Sequence, residues 1–367
     1  MGRRLWINLV CFNLVSILLS VTAVHGYEVV THKDINNFIA DREISDFSLK
    51  EYLRVHMGFS LGVNHVIADR VEIFHDWFGT VLKSALTPKQ CISTGGGDED
   101  SPFLRCKNHF HDPLKEWNQA GLYEGVGLAG GDSSILWAQR EEGTQYLGNY
   151  SWHDVRQYFY RGLTSIEESE RAEYLIKTFN GVGRLMHLIQ DSSVPEHVRN
   201  DGHVLPFFNF EKYLSKEEIY NWLMNQQNYT FDNSTFSITS NNYAPVPIAR
   251  IVDTDRYDGT NPDVTMTTPT GLAEYTNANY FSTDTVFVTD DYPYPSWESV
   301  NHTVIRFQDP RNEAGDVHRE YLVKMHHGDT SYRLCTAPVL YGQVPATAEY
   351  LAPILDENVY GDYAERL

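Results

Sequence analysis

From Tyr27 to about Asn225, apolar residues recur at three- and four-residue intervals, a spacing that predicts helices rather than strands. THKDINNFIADREI places Thr31 in a capping position, and SLKEYLRVHMGF, VIADRVEIFHDWFGTVLKSAL and WHDVRQYFYRGL keep the same period. The clearest helix opens at TSIEESERAEYLIKTFNGVGRLMHLIQD. There Ser165 and Glu168 match a capping box, and Leu175, Ile176, Phe179, Val182, Leu185, Met186 and Ile189 form one buried stripe. Gly181 and Gly183 are costly inside a helix, which predicts that another element approaches closely there.

After about Gln226 the pattern changes to segments rich in Asn, Thr, Asp, Tyr and Pro. DTVFVT, HTVIRF, REYLVKM and YRLCTAPVLY read as strands. Helical spacing returns in TGLAEYTNANYFS and in ATAEYLAPILDENVYGDYAERL. The expected fold is therefore mainly α. A helical domain spans 27–225, and a β-containing insertion spans 226–345 with a helical segment near 270–282. A C-terminal helix in 346–367 returns to the helical domain. No internal repeat or Gly/Ser linker is evident.

The first 26 residues add an address. MGRR is basic, LWINLVCFNLVSILLSV is apolar, and Val24 and Gly26 occupy small-residue positions that permit cleavage before Tyr27. This pattern predicts a secreted or periplasmic protein, with an uncleaved anchor helix as the other reading. Of 367 residues, 42% are hydrophobic and 13% aromatic, enough for a large core. A net charge of −20 argues against a stable partnership with nucleic acid or an anionic membrane, both of which need basic surface. The mature chain would keep Cys91, Cys106 and Cys335. A Cys91 to Cys106 bridge closing CISTGGGDEDSPFLRC is one expectation, and three free buried thiols is the other.

Candidate chemistry concentrates at HLIQDSSVPEH. His187 and Asp191 are separated by one helical turn and share a face, Pro195 stops the helix, and His197 follows on the returning chain. Imidazole and carboxylate grouped in this way suit zinc. NHFHDP adds His109, His111 and Asp112, and GGGDEDSP puts acids on a glycine-rich loop upstream. VVTHKD adds His32, and RNDGHVLPFFNFE adds His203 and Glu211. His65, His75 and His153 are further imidazoles for which a structural role is the simpler reading.

Taken in order, these motifs resemble the zinc-dependent phospholipase C and single-strand-specific nuclease superfamily, an all-helical fold with a three-zinc site. The resemblance covers roughly Tyr27 to Glu211. It implies a multi-helix phospholipase C/nuclease-like domain in which Asp100, His109, His187 and Asp191 hold one zinc. Asp191 would bridge to a second zinc held by His32 and the free amino group of Tyr27. His197, His203 and Glu211 would hold the third. The sequence departs from the family pattern in several places. Tyr27 stands where Trp is usual, and Gln190 stands where a Gly precedes the Asp. His203 and Glu211 are eight residues apart instead of one turn, about 12 Å on a continuous helix, so either Pro206 breaks the chain between them or the third site differs. The family's last helix would run past Leu367, so the chain either closes its core differently or is a fragment.

The resemblance also implies hydrolysis of a phosphodiester, a phospholipid head group or nucleic acid, with Asp100 as general base and Glu99 as the fallback. Cations in the cleft would let an acidic protein bind an anionic substrate. Glu at the last ligand position favours the phospholipase C branch, and the spacing from Tyr27 to His32 favours the nuclease branch. The remaining readings are a non-catalytic secreted protein stabilised by metal, and a structural role only, with the histidines satisfied by hydrogen bonds.

Overall fold

The computed structural model describes residues 29–44, 47–75, 79–123, 130–202, 209–216, 248–261, 264, 270–297, 300–308, 318–326, 330–337, 339–341, 349–351, 354–364 and 366–367. The expected leader, the cleavage before Tyr27 and the boundary near residue 225 fall outside these residues. Helix α1 spans Val29–Asp41. A short pair, β1 (Glu43–Ile44) and β2 (Phe47–Ser48), leads into α2 (Leu49–His56), whose first turn is capped by the Ser48 hydroxyl. Strands β3 (Ala68–His75) and β4 (Gly79–Leu86) form an antiparallel hairpin. Helix α3 (Pro88–Asp98) opens on a Thr87/Gln90 capping box with Pro88 in the first turn.

The short α4 (Ser134–Ala138) precedes α5 (Trp152–Thr164), which opens on a Ser151/Asp154 box, and then α6 (Glu168–Asp191). A turn leads to α7 (Pro195–Val198) and α8 (Phe210–Leu214). Two more short helices come next, α9 (Ile248–Val252) and α10 (Leu272–Asn279). A three-stranded antiparallel sheet joins β5 (Asn301–Gln308), β6 (His318–His326) and β7 (Thr330–Thr336) in that order. The pair β8 (Val339–Tyr341) and β9 (Glu349–Leu351) precedes α11 (Glu357–Ala364). The fold is mainly α, with strands in both halves of the chain, β1–β4 before α3 and β5–β9 after α10. No helix among the described residues is long and apolar enough to cross a membrane.

Helix α6 is the organising element. Both α3 and α5 pack along it, and α1 packs on α3. The predicted close approach at its glycines is real: a Cβ on Gly183 would overlap the Ile92 carbonyl of α3, and one on Gly181 would overlap the Val155 side chain of α5. Helix α3 answers in kind. A Cβ on Gly95 would strike the Asn180 carbonyl of α6, and one on Gly96 would strike the Asn36 amide of α1. The bare backbones therefore bring three helices together.

Two cores flank this contact. One gathers Leu53, Phe59, Val63, Leu86, Cys91, Ile92, Leu175, Ile176 and Phe179 from the N-terminal half. The other joins Phe210, Tyr213 and Leu214 of α8 to residues of α10, the sheet and α11. Tyrosine is the main filler of the second core, and its hydroxyls need partners when buried. Tyr363 donates to the Leu334 carbonyl at 2.8 Å and Tyr332 to the Asn279 carbonyl at 2.9 Å.

Several local expectations are corrected. VIADRVEIFHDWFGTVLKSAL is not a helix. Its β-branched residues at Val71, Ile73, Thr80 and Val81 favour the hairpin in which Ala68 pairs with Leu86. Thr31 lies inside α1, where it is buried and caps nothing. Ser165 ends α5 instead of starting α6, which begins after Glu167 with no side-chain cap. DTVFVT is a turn, because the Ser282 and Thr285 side chains hydrogen-bond locally at 2.7 Å and compete with strand geometry. The segment after Ala346 is not helical throughout. Glu349–Leu351 pairs with β8, Pro353 intervenes, and the Asp356 carboxylate caps α11 by accepting from the Asn358 and Val359 N–H groups at 3.0 and 3.1 Å.

The glycines of GGGDED are helical and not a floppy loop, and the Cys91 to Cys106 bridge is absent. Both cysteines are buried, as is Cys335, and none of the three forms a disulfide. Cys91 packs into the N-terminal core from α3, while Cys106 turns towards Asp100.

Replacing Gly183 with Ala should destabilise the protein by about 1–3 kcal/mol, because the added methyl meets backbone that cannot rotate away. Urea unfolding of Gly183→Ala measures this, and an unchanged midpoint would contradict the proposed contact.

Candidate metal centre

Five helices, at or near their ends, deliver most of the polar cluster. His32 comes from α1, Asp100 from just beyond α3, and His187 and Asp191 from the last turns of α6. His197 sits on α7, whose first residue is Pro195, and Glu211 sits on α8. His109 follows a 3-10 stretch over Phe103–Asn108. All seven are buried. Glu196 ties α7 to α8 by accepting the Phe210 N–H at 3.1 Å, so the His197 turn and the Glu211 helix are held together.

Asp191 is the hub. Its Oδ1 lies 3.4 Å from His32 Nε2 and 3.6 Å from His197 Nδ1, and its Oδ2 lies 3.0 Å from His109 Nδ1 and 3.1 Å from His187 Nε2. Neither oxygen accepts a hydrogen bond of good geometry from these rings. Around it the side chains fall into three overlapping groups: His32, Asp100 and His187; His109, His187 and Asp191; and Asp191, His197 and Glu211. Within each group the candidate ligand atoms lie within 4.8 Å of one another.

The arrangement of lone pairs is the informative feature. His187 Nδ1 is 2.6 Å from the Gly96 carbonyl, which can only accept, so this nitrogen carries hydrogen. In a neutral ring, His187 Nε2 is then an acceptor. It faces His109 Nδ1 at 3.2 Å, Asp191 Oδ2 at 3.1 Å and Asp100 Oδ1 at 3.6 Å. Several acceptors converging in a buried space require a shared positive charge. A proton can serve, and so can a metal ion. These buried groups fit a metal ion, since nitrogen and carboxylate oxygen are suitable donors and they converge within 4.8 Å.

The ionisation pattern reflects the same convergence. Burial alone would lower the His187 pKa, but Asp191 and Asp100 raise it to about 10. Burial and the neighbouring His187 hold His32 well below its ordinary value. Burial would raise Asp191, yet His187, His197 and His109 outweigh it and hold the carboxyl well below the usual range. Asp100 is raised, chiefly by burial.

Glu99 proves to be structural, so it no longer stands as the fallback base. Arg105 binds it in a fork, 2.8 Å to each oxygen, while Arg184 Nη1 lies at 3.1 Å and the Trp137 ring N–H donates at 2.9 Å. Burial would raise its pKa, but Arg105 and Arg184 bring it down from 4.5 to about 2. Arg184 also donates to the Asp98 carbonyl at 2.6 Å. The cluster clamps the C-terminal end of α3 against α6 and sets the chain direction into Asp100. His111 is likewise occupied: its Nε2 lies 2.8 Å from Asp253, which also accepts from Trp117 at 2.9 Å. The His111 backbone N–H donates to the His197 carbonyl at 3.0 Å, tethering a candidate ligand.

Of the nine residues expected from the sequence, His32, Asp100, His109, His187, Asp191, His197 and Glu211 come together. Tyr27 and His203 lie outside the described residues. Sequence reasoning missed Gln190, Asn36, Arg105, Arg184 and Glu196, all of which touch the ligands or their scaffold. A charged residue on the core side of α6 was the available signal for Arg184. No family model matches the chain, and no curated protein or solved structure matches it either.

Glu99→Gln should cost about 3–5 kcal/mol, because two buried guanidinium groups lose their counter-charge. The depressed Glu99 pKa contributes stability that is fully present above pH 4.5 and is lost as pH falls towards about 2. Chemical denaturation at several pH values should show this acid-side loss in the parent and a shallower one in Glu99→Gln. Equal slopes would contradict the assignment.

Proposed function

We propose that this protein is an exported zinc-dependent phosphoric ester hydrolase, phospholipase C-like, with a three-zinc site. The observation that carries the reading is the Asp191 carboxylate, buried among four imidazoles whose nearest nitrogens stand 3.0 to 3.6 Å away. It is supported by the overlap of three candidate ligand groups in one buried volume. Asp100, His109, His187 and Asp191 would hold one ion, and His32 and Asp191 a second with the Tyr27 amino group. His197 and Glu211, with His203, would hold the third.

Zinc bound there would polarise a phosphoryl oxygen, acidify water and stabilise the leaving oxygen. The chain's own contribution is positioning and proton handling. Asp100 Oδ1 faces His109 at 3.7 Å and His187 at 3.6 Å, while Oδ2 has no hydrogen-bond partner. In the proposed step a water oxygen forms a bond to phosphorus as the ester P–O bond breaks. Asp100 Oδ2 takes the water proton, which then passes to the departing alkoxide.

Elemental analysis of the mature protein should find about three zinc ions per chain. Asp191→Asn should lose about two of these, because one oxygen-rich bridge serves two ions. Less than one ion in the parent would end the metal reading. Assays on a choline-phosphate diester, single-stranded DNA and a generic bis-phosphodiester then divide the chemistry. Turnover of the first supports the phospholipase C-like reading, turnover of DNA alone moves the protein to the nuclease class, and turnover of none refutes the hydrolase.

A further inference from the structure

A chain of donors and acceptors runs from two backbone carbonyls to His32. Asn36 Nδ2 donates to the carbonyls of Ile92 at 3.0 Å and Gly183 at 3.2 Å. Carbonyls can only accept, so the Asn36 NH2 group is committed to them and its Oδ1 is turned the other way. That oxygen accepts from Gln190 Nε2 at 2.8 Å. The orientation of the Gln190 amide is thereby fixed as well, and its Oε1 faces His32 Nδ1 at 2.7 Å. An amide oxygen cannot donate, so His32 Nδ1 must carry the hydrogen.

We infer that Gln190 is a positioning residue that sets the tautomer of His32, so that its Nε2 lone pair is presented beside Asp191 for a metal ion. The inference rests on reading this cluster as a metal centre. His32 Nε2 stands 3.4 Å from Asp191 Oδ1, on the side of the ring opposite Gln190. His187 uses a parallel device, with Gly96 O as the acceptor for its Nδ1 hydrogen. The two rings stack with centroids 3.6 Å apart and planes 23° from parallel, so two imidazoles present their Nε2 atoms from one pile. One helix supplies everything on this side: His187 and Asp191 as candidate ligands, Gln190 as the orienter and Gly183 as the anchor for Asn36.

The glycine contacts are part of the device. Gly96 leaves space for the Asn36 amide, whose bond to Gly183 O depends on the close packing of α1, α3 and α6. Partners of metal-binding imidazoles typically change metal affinity by about 10- to 100-fold when removed.

Two variants separate orientation from packing. Gln190→Met removes the acceptor, and Gln190→Glu keeps it while losing the NH2 group that reaches Asn36. Long-range proton–nitrogen spectra of folded, metal-free protein labelled at histidine read the tautomer directly, with His32→Gln identifying the signal. The parent and Gln190→Glu should show His32 protonated at Nδ1, and Gln190→Met should lose that preference. Chelator competition with zinc should show one site weakened about 10- to 100-fold in Gln190→Met and within about twofold of the parent in Gln190→Glu.

A parent His32 protonated at Nε2 overturns the inference, as does a Gln190→Met protein with parental zinc affinity or equal weakening in both variants. A parent that binds no zinc refutes the metal centre itself. In that case the tautomer alone decides the role of Gln190: hydrogen at Nδ1 supports it and hydrogen at Nε2 overturns it.

Discussion

The separation of α3 and α6 is set by backbone meeting backbone, with Gly95 and Gly183 against the carbonyls of Asn180 and Ile92. Side chains can rearrange to absorb a small displacement, but two peptide planes in contact cannot, so this spacing is among the stiffest in the molecule. The site depends on it. Only at that distance does the Gly96 carbonyl reach His187 Nδ1, and only then can Asn36 span both helices to hold Gln190. Residues far apart in sequence thus acquire their geometry from positions that carry no functional group.

A second constraint is charge. The described cluster places the carboxylates of Asp100, Asp191 and Glu211 in one buried region beside Glu99. Glu99 is neutralised permanently by Arg105 and Arg184, which leaves the other three to be balanced by imidazolium or by an ion. Division of labour between neighbouring acids is therefore strict. One of two consecutive residues is locked into the scaffold, and the next faces the candidate ligands.

Much of this was legible in the chain. One turn between His187 and Asp191 puts them on one face, and the buried stripe of α6 fixes that face inward. The glycines of α6 were readable as contact points for the same reason that they are costly in a helix. The glycines of α3 were not, because a run of three followed by acids has the composition of a loop, and only the facing backbone makes it a helix. The hairpin at Ala68–Leu86 was hidden because its apolar residues satisfy both periods, leaving β-branching to decide. Asn36 gave no signal, and Gln190 stood out only as a departure from the family's Gly, with no role attached to it. In sequence, an amide that orients an imidazole looks like any surface amide, and its meaning resides in which carbonyls lie beside it.

Both α3 and α6 end at the candidate site, so both point their carbonyl ends towards it. The C-terminal end of a helix carries partial negative charge, and two such ends add to the buried carboxylates. The resulting field admits cations and repels phosphate. For a phosphoryl substrate, bound cations would have to offset this field before an anion could approach. Metal loading and anion binding would then be linked through charge alone, without any moving part.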